Sequence, residues 1–325
     1  MRYRRLGEAG VRVSEVSLGS WLTYGGSVAD DQAYACIRAA LDLGVNLFDT
    51  ANAYRRGAAE RLVGAALADV PRDEYVLATK VFFPMGDGPN ARGLSRKHLF
   101  EQCHASLRRL GTDYLDLYQC HRPDPETPLQ ETLRALDDLV GQGKVLYVGV
   151  SEWSSEQLEE ARHLQAALGL HPIVSNQPQY SLLARSIEED VLPAGRRLGI
   201  GQLIWSPLAQ GVLSGKYIPG APPPPDSRGA HPEDSAFMRS FLREETLHAV
   251  GRLRPIAAEL GLSLPQLAIA WTLRDPGVSS AIIGASRAEQ VREDVAASGV
   301  TLPSEALERI DAALAPVPVA GAATY

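Results

Sequence analysis

Four side chains that could move protons lie close to the ends of three short apolar segments. Asp49 lies near the end of VNLFDT, Tyr54 follows it by five residues, Lys80 lies near the end of YVLATKV, and His121 ends YLDLYQCH. A cation beside a phenol stabilises the phenolate, so the phenol proton becomes easier to donate. This set therefore suits protonation of a carbonyl oxygen while another group attacks the carbonyl carbon.

The roles within this set follow from the residue types. Lys80 could be the cation beside Tyr54, and Asp49 would keep Lys80 charged. A neutral His121 could donate a hydrogen bond that orients the carbonyl. The chain offers no evident nucleophile for the carbon, so a hydride from a cofactor is the economical hypothesis.

Other interpretations exist for these residues. Taken singly, each is more often a helix cap, a strand-end charge, a loop aromatic or a packed histidine. A Schiff-base lyase built on Lys80 is an alternative, although a neighbouring carboxylate favours the charged amine. The seven histidines form no H-x-x-x-H or H-E-x-x-H pattern, so no metal site is predicted.

Eight β-rich runs alternate with segments whose apolar residues have helical spacing. The runs are nearly continuous apolar stretches, as in parallel strands that are covered on both faces. They lie at 16–20, 45–50, 75–81, 114–121, 145–151, 172–177, 201–208 and 279–286. Eight βα units predict a (β/α)8 TIM barrel, whose active site lies at the carboxyl ends of the strands. An open doubly wound sheet is the alternative, but LGSWLTYGGS lacks the G-x-G-x-x-G spacing.

Three further segments complete the predicted architecture. YRRLGEAGVRVSEV predicts an N-terminal β-hairpin that plugs the bottom of the barrel, with EAG as its turn. Residues 209–239, with four consecutive prolines, predict a long loop after strand seven of the kind that forms lids or binding loops. We expect one barrel domain over 1–325, with a weakly ordered tail from about residue 315.

Composition excludes several classes of partner. The net charge is −7 and there is no dense stripe of Lys or Arg, so nucleic acid and anionic membranes are not expected partners. No run approaches about 18 apolar residues, so no membrane insertion is expected. Cys36, Cys103 and Cys120 lie far apart and form no CxxC pair, which favours a reducing cytoplasm over a disulfide framework.

At these residues the sequence resembles the aldo-keto reductase superfamily over almost its whole length. The resemblance rests on NLFDTANAY (46–54), ATK (78–80), HRPDPETP (121–128), SPLAQGVLSGKY (206–217) and LPQLAIAWTLR followed by IIGASRAEQV. Within the superfamily it is most similar to the β-subunits of voltage-gated potassium channels and their bacterial relatives. SLGSWLTYGG, SEWSS and RGLSRKHLFEQCHASLRRLGTDYLDL carry that similarity.

The resemblance implies an activity. The catalytic tetrad of the family falls on Asp49, Tyr54, Lys80 and His121, and implies NADPH-dependent reduction of aldehydes or small ketones, with the proton from Tyr54. The channel β-subunits carry asparagine in place of His121, which favours a working reductase. The alternative is an NADPH-binding, redox-sensing or channel-associated protein with little turnover. A homo-oligomer, a tetramer, is implied in the same way.

The resemblance also implies where NADPH or NADP⁺ and the substrate bind. The implied cofactor residues are Ser20, Trp21, Ser151, Gln177, Trp205, Ser206, Pro207, Leu208, Gln210, Gly211, Lys216, Arg228, Gly284, Ser286, Arg287, Gln290, Glu293 and Asp294. Glu152 and Asp294 depart from the basic residue and the asparagine that relatives often carry there. An aromatic substrate pocket is expected from Trp21, Tyr24, Phe82 and Trp153, with Phe83 and Tyr180 as further candidates.

Overall fold

A closed barrel of eight parallel strands forms the centre of the protein. A computed structural model describes residues 1–225, 227–230, 238, 240–315 and 317. The barrel strands follow one another in chain order, and the last pairs with the first. They are β3 (Val16–Gly19), β4 (Leu47–Asp49), β5 (Val76–Val81), β6 (Leu115–Cys120), β7 (Val145–Ser151), β8 (Ile173–Gln177), β9 (Gly201–Trp205) and β10 (Val278–Ile283). The predicted (β/α)8 barrel is confirmed.

The strands form where the chain is apolar because both of their faces are covered. Every residue of β5, β6 and β10 is buried, as expected for strands between a filled barrel and an outer ring of helices.

The seventh barrel strand, β9, is shorter than the sequence predicted. It ends at Trp205 because Ser206, at φ 55°, leaves the extended region.

The helices on the outside begin and end at recognisable signals. They are α1 (Asp30–Asp42), α2 (Ala58–Leu67), α3 (Arg96–Leu110), α4 (Leu129–Gly141), α5 (Ser155–Leu168), α6 (Val191–Leu198), α7 (Glu244–Glu259), α8 (Leu264–Thr272), α9 (Ala288–Val295) and α10 (Ser304–Leu314). Ser154 and Ser263 each form a capping box with the glutamine three residues later. Gly111, at φ 67°, ends α3 in the left-handed conformation that glycine adopts without strain.

The N-terminal hairpin covers the end of the barrel away from the predicted site. β1 (Tyr3–Arg5) pairs antiparallel with β2 (Arg12–Ser14). Leu6 and Val13 are buried in a cluster with the inward-facing side chains of the barrel, including Leu47 and Leu203. The amide of Glu8 donates to the carbonyl oxygen of Gly199, just before β9 begins. The hairpin therefore closes the amino-terminal ends of the strands.

The loop after β9 and the tail are described only in part. Short 3-10 turns occupy Ala209–Ser214 and Arg228–Ala230. Residues 226, 231–237 and 239 of the predicted loop, and 316 and 318–325 of the predicted tail, lie outside the described residues. None of the helices within the described ranges combines the length and the apolar character needed to cross a membrane.

Candidate active site

Three adjacent strands bring the four predicted residues to one rim of the barrel. Asp49 ends β4, Lys80 lies next to the end of β5, and His121 follows β6 directly. Tyr54 begins a 3-10 turn after β4 in which Arg55 and Arg56 both have positive φ, 47° and 51°. Such backbone is strained in residues other than glycine. The turn that carries Tyr54 is therefore held by its surroundings.

A buried ion pair forms the centre of the site. Lys80 is 0 % exposed, and its Nζ donates to the Asp49 carboxylate, to the Thr50 carbonyl oxygen at 3.0 Å and to the Tyr54 hydroxyl at 3.2 Å. Burial acts to lower the pKa of Lys80, but Asp49 and Tyr54 together raise it above its usual value. Lys80 is therefore an ammonium group that contacts the phenol oxygen.

Burial governs the protonation of the other two groups. It raises the pKa of Tyr54, while the charge of Lys80 acts in the opposite direction. For His121, burial and then the charges of Lys80 and Arg122 lower the pKa well below its usual value. The two rings meet edge to face at 5.6 Å between centroids. At neutral pH the site therefore presents a protonated phenol beside an uncharged imidazole.

Two buried glutamines hold the other oxygen of Asp49. Gln177 Nε2 donates to Asp49 Oδ1 at 2.9 Å, and Gln119 Nε2 donates to the same atom at 3.3 Å. The side-chain carbonyl of Gln119 also accepts from Gln177 Nε2 at 3.5 Å. Asp49 thus accepts hydrogen bonds from two amides in addition to the bond from Lys80.

Sequence reasoning missed Gln119. A signal was present, because Gln119 lies two residues before His121 in a strand, and such side chains point to the same face. A polar side chain that points into the barrel, on the same face as the buried Leu117, needs a hydrogen-bond partner there. Asp49, on the second strand away, provides that partner.

A cavity of about 440 Å³ opens on this rim and collects most of the predicted cofactor residues. Tyr54, His121 and Asp49 line it. The predicted cofactor residues that also line it are Trp21, Ser151, Gln177, Trp205, Ser206, Pro207, Leu208, Gln210, Gly211, Lys216, Arg228, Gly284, Ser286 and Gln290. Ser20, Arg287, Glu293 and Asp294 lie outside the described lining. The hydroxyl of Ser20 instead donates to the Thr50 hydroxyl at 2.9 Å.

Glu152 fixes the indole of Trp205. Trp205 Nε1 donates to Glu152 Oε1 at 2.6 Å, and the amide of Gln179 donates to the same oxygen at 2.7 Å. Glu152 has φ 58°, and burial raises the pKa of its carboxyl. The rings of Trp21 and Trp205 meet edge to face at 5.7 Å. Glu152, where relatives often carry a basic residue, therefore holds the Trp205 indole in the cavity wall, in contact with Trp21.

Two cations, Lys216 and Arg228, and the residues around the N-terminus of α9 form another part of the cavity wall. Gln210 and Gly211 have φ 60° and 93°, and Arg228 Nη1 donates to the side-chain carbonyl of Gln210. Lys216 lies beside Gly211, where a Cβ would come within 3.4 Å of its Nζ. Ser286 lies just before α9, at an N-terminus whose dipole favours anions. This wall suits a ligand that carries phosphate groups.

Of the residues predicted for an aromatic substrate pocket, Trp21 lines the cavity, whereas Tyr24, Phe82 and Trp153 lie outside its described lining. Tyr24, Trp153 and Tyr180 are buried in the hydrophobic core, and Phe82 packs against Phe83 at 5.3 Å between ring centroids. Among the described lining residues, the aromatic ones beside Tyr54 and His121 are Trp21, Trp205 and Phe83. Phe83 lines the cavity and Phe82 lies behind it, outside the described lining.

The described residues contain no group of three His, Cys, Asp or Glu side chains that could hold a metal ion. The three cysteines are free thiols and all are buried.

Comparison with known proteins identifies the family. A sequence model described as "Aldo/keto reductase family" matches residues 15–315. The chain belongs to this family. The resemblance found in the sequence is thereby confirmed. The family generally uses nicotinamide cofactors and acts on small-molecule substrates, which supports an oxidoreductase-type function.

Relatives of the chain carry channel-subunit names. It is 43 % identical over 317 residues to a "Probable voltage-gated potassium channel subunit beta" from Oryza sativa subsp. japonica, covering 96 % of each chain. Another protein of that description, from Arabidopsis thaliana, is 43 % identical over 303 residues, covering 92 % of each. A "Putative voltage-gated potassium channel subunit beta" from Schizosaccharomyces pombe is 42 % identical over 316 residues, covering 95 % of this chain and 92 % of the relative. The expected similarity to this branch is confirmed.

Asp294 is a buried acid that should make stability depend on pH. It is 3 % exposed in α9, and burial, followed by the charge of Glu293, raises its pKa to about 8. In the unfolded chain an aspartate releases its proton near pH about 4. The folded state therefore binds an extra proton between these two pH values, and stability falls as pH rises through that window.

We predict that Asp294→Asn removes this pH dependence. The gain in the free energy of unfolding over wild type should grow with pH by up to about 1.4 kcal/mol per pH unit between about pH 4 and 8. Urea unfolding of both proteins at several pH values measures it, with Glu289→Gln, an exposed carboxyl of the same helix, as the control. A gain that is equal at all pH values would contradict the assignment.

Proposed function

We propose that the protein reduces aldehydes or small ketones to alcohols with NADPH, and that Tyr54 supplies the proton. One observation carries the proposal: a fully buried Lys80 contacts both the Asp49 carboxylate and the Tyr54 hydroxyl at the floor of a cavity. A phenol held this way can give up its proton to an oxygen that becomes negative, because the phenolate that remains is stabilised by the ammonium group.

Each residue of the site has a role in this reaction. Tyr54 donates its proton to the carbonyl oxygen, Lys80 stabilises the resulting phenolate, and Asp49 keeps Lys80 charged. His121, uncharged because of burial and its cationic neighbours, orients the carbonyl by a hydrogen bond. When bound, the reduced nicotinamide supplies the hydride to the carbonyl carbon.

The cavity fits a phosphorylated dinucleotide in its chemistry. Gln177 Nε2 is directed at Asp49, so its side-chain carbonyl oxygen is left to accept from a carboxamide. Ser151, whose hydroxyl donates to the Gln177 main-chain carbonyl oxygen at 2.8 Å, would hold the same group, and Trp205 would stack on the nicotinamide ring. Lys216 and Arg228 would hold the pyrophosphate.

The choice of NADPH over NADH rests on the start of α9. Ser286, Arg287 and Gln290 cluster around the helix N-terminus, where a dianionic phosphate is favoured. Ser20, Trp21, Ser206, Pro207, Leu208, Gln210, Gly211, Gly284, Glu293 and Asp294 complete the proposed cofactor set. Asp294 does not oppose the phosphate strongly, because burial raises the pKa of its carboxyl to about 8.

The channel-subunit names of the relatives favour a second candidate function. A channel-associated or redox-sensing protein would bind NADPH tightly and turn over little substrate. Tight cofactor binding with negligible turnover on a broad panel of aldehydes would support it. We also infer a cytoplasmic location from the three buried thiols. From the family resemblance we infer one barrel domain and a tetrameric assembly.

We predict that Tyr54→Phe lowers turnover of a reactive aldehyde, such as a nitrobenzaldehyde or methylglyoxal, by about 10²-fold or more, since the proton donor is lost. The dissociation constant for NADPH, measured by tryptophan fluorescence, should be nearly unchanged. NADPH oxidation by purified protein gives the rate. Turnover equal to that of wild type would exclude Tyr54 as the donor.

We predict that Gln119→Met lowers aldehyde turnover, whereas the matched variant Gln202→Met does not. The loss of one donor leaves more of the Asp49 negative charge uncompensated beside Lys80, so the ammonium group stabilises the Tyr54 phenolate less. Turnover should fall by about tenfold, and the pH profile of alcohol oxidation should move to higher pH.

Gln202→Met is the control. Gln202 is equally buried in the barrel, but its Nε2 donates to the Ile200 carbonyl oxygen at 3.1 Å, near the start of β9. Both variants lose a buried amide and keep its shape. Equal turnover and equal pH profiles in the two variants would show that Gln119 acts only through stability.

A further inference from the structure

The turn that carries Tyr54 has a strained backbone. Arg55 and Arg56 have φ 47° and 51°, and Gly57 follows at φ 84°. Residues other than glycine persist in this conformation only where the surrounding structure holds them. The Tyr54 hydroxyl nevertheless lies 3.2 Å from Lys80 Nζ. Contacts from outside the turn therefore have to fix the phenol.

Helix α3 contacts the chain on both sides of this turn. Before the turn, Asn52 Nδ2 donates to Gln102 Oε1 at 3.1 Å. Asn52 is fully buried, and its main-chain amide donates to the Lys80 carbonyl oxygen at 3.2 Å. After the turn, the Arg109 side chain lies against Gly57, where an added Cβ would be 2.5 Å from Arg109 Cδ. The helix thus holds the turn at its beginning and at its end.

A buried carboxylate joins these contacts to the strand of Lys80. Glu60, in the first turn of α2, is 0 % exposed, and Arg109 Nε donates to its Oε2 atom. The Oε1 atom accepts from the Thr79 hydroxyl at 2.6 Å. Thr79 precedes Lys80 in β5. One carboxylate therefore links the helix that follows Tyr54 to the strand that carries Lys80.

The side chains that make these links are Glu60, Arg109 and Gln102, which we call the turn brace. We propose that the turn brace positions Tyr54 so that its hydroxyl stays in contact with Lys80, although no member of the brace is in the described lining of the cavity. Without the brace, the phenol loses the ammonium group and its proton becomes harder to donate. This inference rests on the proposed carbonyl reduction and adds positioning residues to it.

Stability alone does not account for an ion pair in the brace. Charges lose their hydration on burial, so apolar side chains of similar volume often give equal or greater stability. Hydrogen bonds, unlike apolar contacts, have a preferred distance and direction. The bonds of Glu60 to Arg109 and Thr79 therefore specify where α2, and the turn before it, lies relative to β5.

Two double variants separate positioning from stability. Glu60→Met/Arg109→Met replaces the ion pair of the brace with apolar side chains. Asp116→Leu/Arg72→Met is the matched control, because Arg72 Nη2 donates to Asp116 Oδ2 in another largely buried pair. Asp116 lies near the start of β6, at the end of the barrel away from Tyr54. Each variant also leaves one buried donor without its acceptor.

The kcat of aldehyde reduction should fall by about tenfold or more in the brace variant and stay near that of wild type in the control. The pH profile of alcohol oxidation should move to higher pH in the brace variant alone, because the Tyr54 phenolate is less stabilised. NADPH binding should be unchanged in both. Equal kcat values or equal pH profiles in the two variants overturn the inference.

Two further measurements cover the failure of these variants or of the activity. If the brace variant does not fold, Gln102→Met decides, because it removes the bond to Asn52 and leaves the buried charges paired. A lower kcat with a profile at higher pH supports the inference, and wild-type values overturn it.

If wild type reduces no aldehyde, the proposed reduction fails, and the NMR signal of Tyr54 decides the inference. Tyrosine is isotope-labelled at Cζ, and the signal is assigned with Tyr54→Phe. A signal that shifts in the brace variant and not in the control supports the inference, and any other pattern overturns it.

Discussion

The buried pair of Asp49 and Lys80 is the interaction on which the site depends. Taking two charges out of water costs on the order of several kcal/mol per ion, and mutual attraction offsets this only when the remaining hydrogen-bonding groups are also satisfied. Both conditions hold in this protein. Lys80 also donates to the Thr50 carbonyl oxygen and the Tyr54 hydroxyl, and Asp49 also accepts from Gln119 and Gln177. The pair thus fixes the position of the phenol and supplies the charge beside it.

The barrel makes this arrangement possible and determines what surrounds it. Parallel strands end at one rim, so residues far apart in sequence meet there without long loops. The same geometry gives different side chains to different parts of the cavity wall. Cations and the N-terminus of α9 lie toward the β9 and β10 side, whereas Arg122 and Phe83 lie beside Tyr54 and His121. Glu152 holds the Trp205 indole at the end of β9.

The sequence predicts the barrel and the rim well, because both depend on local pattern. All eight strands are where apolar runs predict them, and Asp49, Lys80 and His121 lie at strand ends that must converge. The sequence does not predict the direction of side chains in the loops, because tertiary packing determines it. Tyr24 and Trp153 are in loop segments of the sequence, yet tertiary packing turns them into the core. The bond between Trp205 and Glu152 joins residues 53 positions apart, and no local pattern specifies it.

The central claim is that the Asp49–Lys80 pair enables Tyr54 to act as the proton donor. The most direct measurement is aldehyde turnover by the double variant Asp49→Asn/Lys80→Met, which removes both charges and leaves neither buried alone. NADPH binding and the free energy of unfolding are measured alongside. The account predicts turnover lower by about 10²-fold or more, with the cofactor still bound and the protein folded. Turnover close to that of wild type in a folded, NADPH-bound double variant would contradict it.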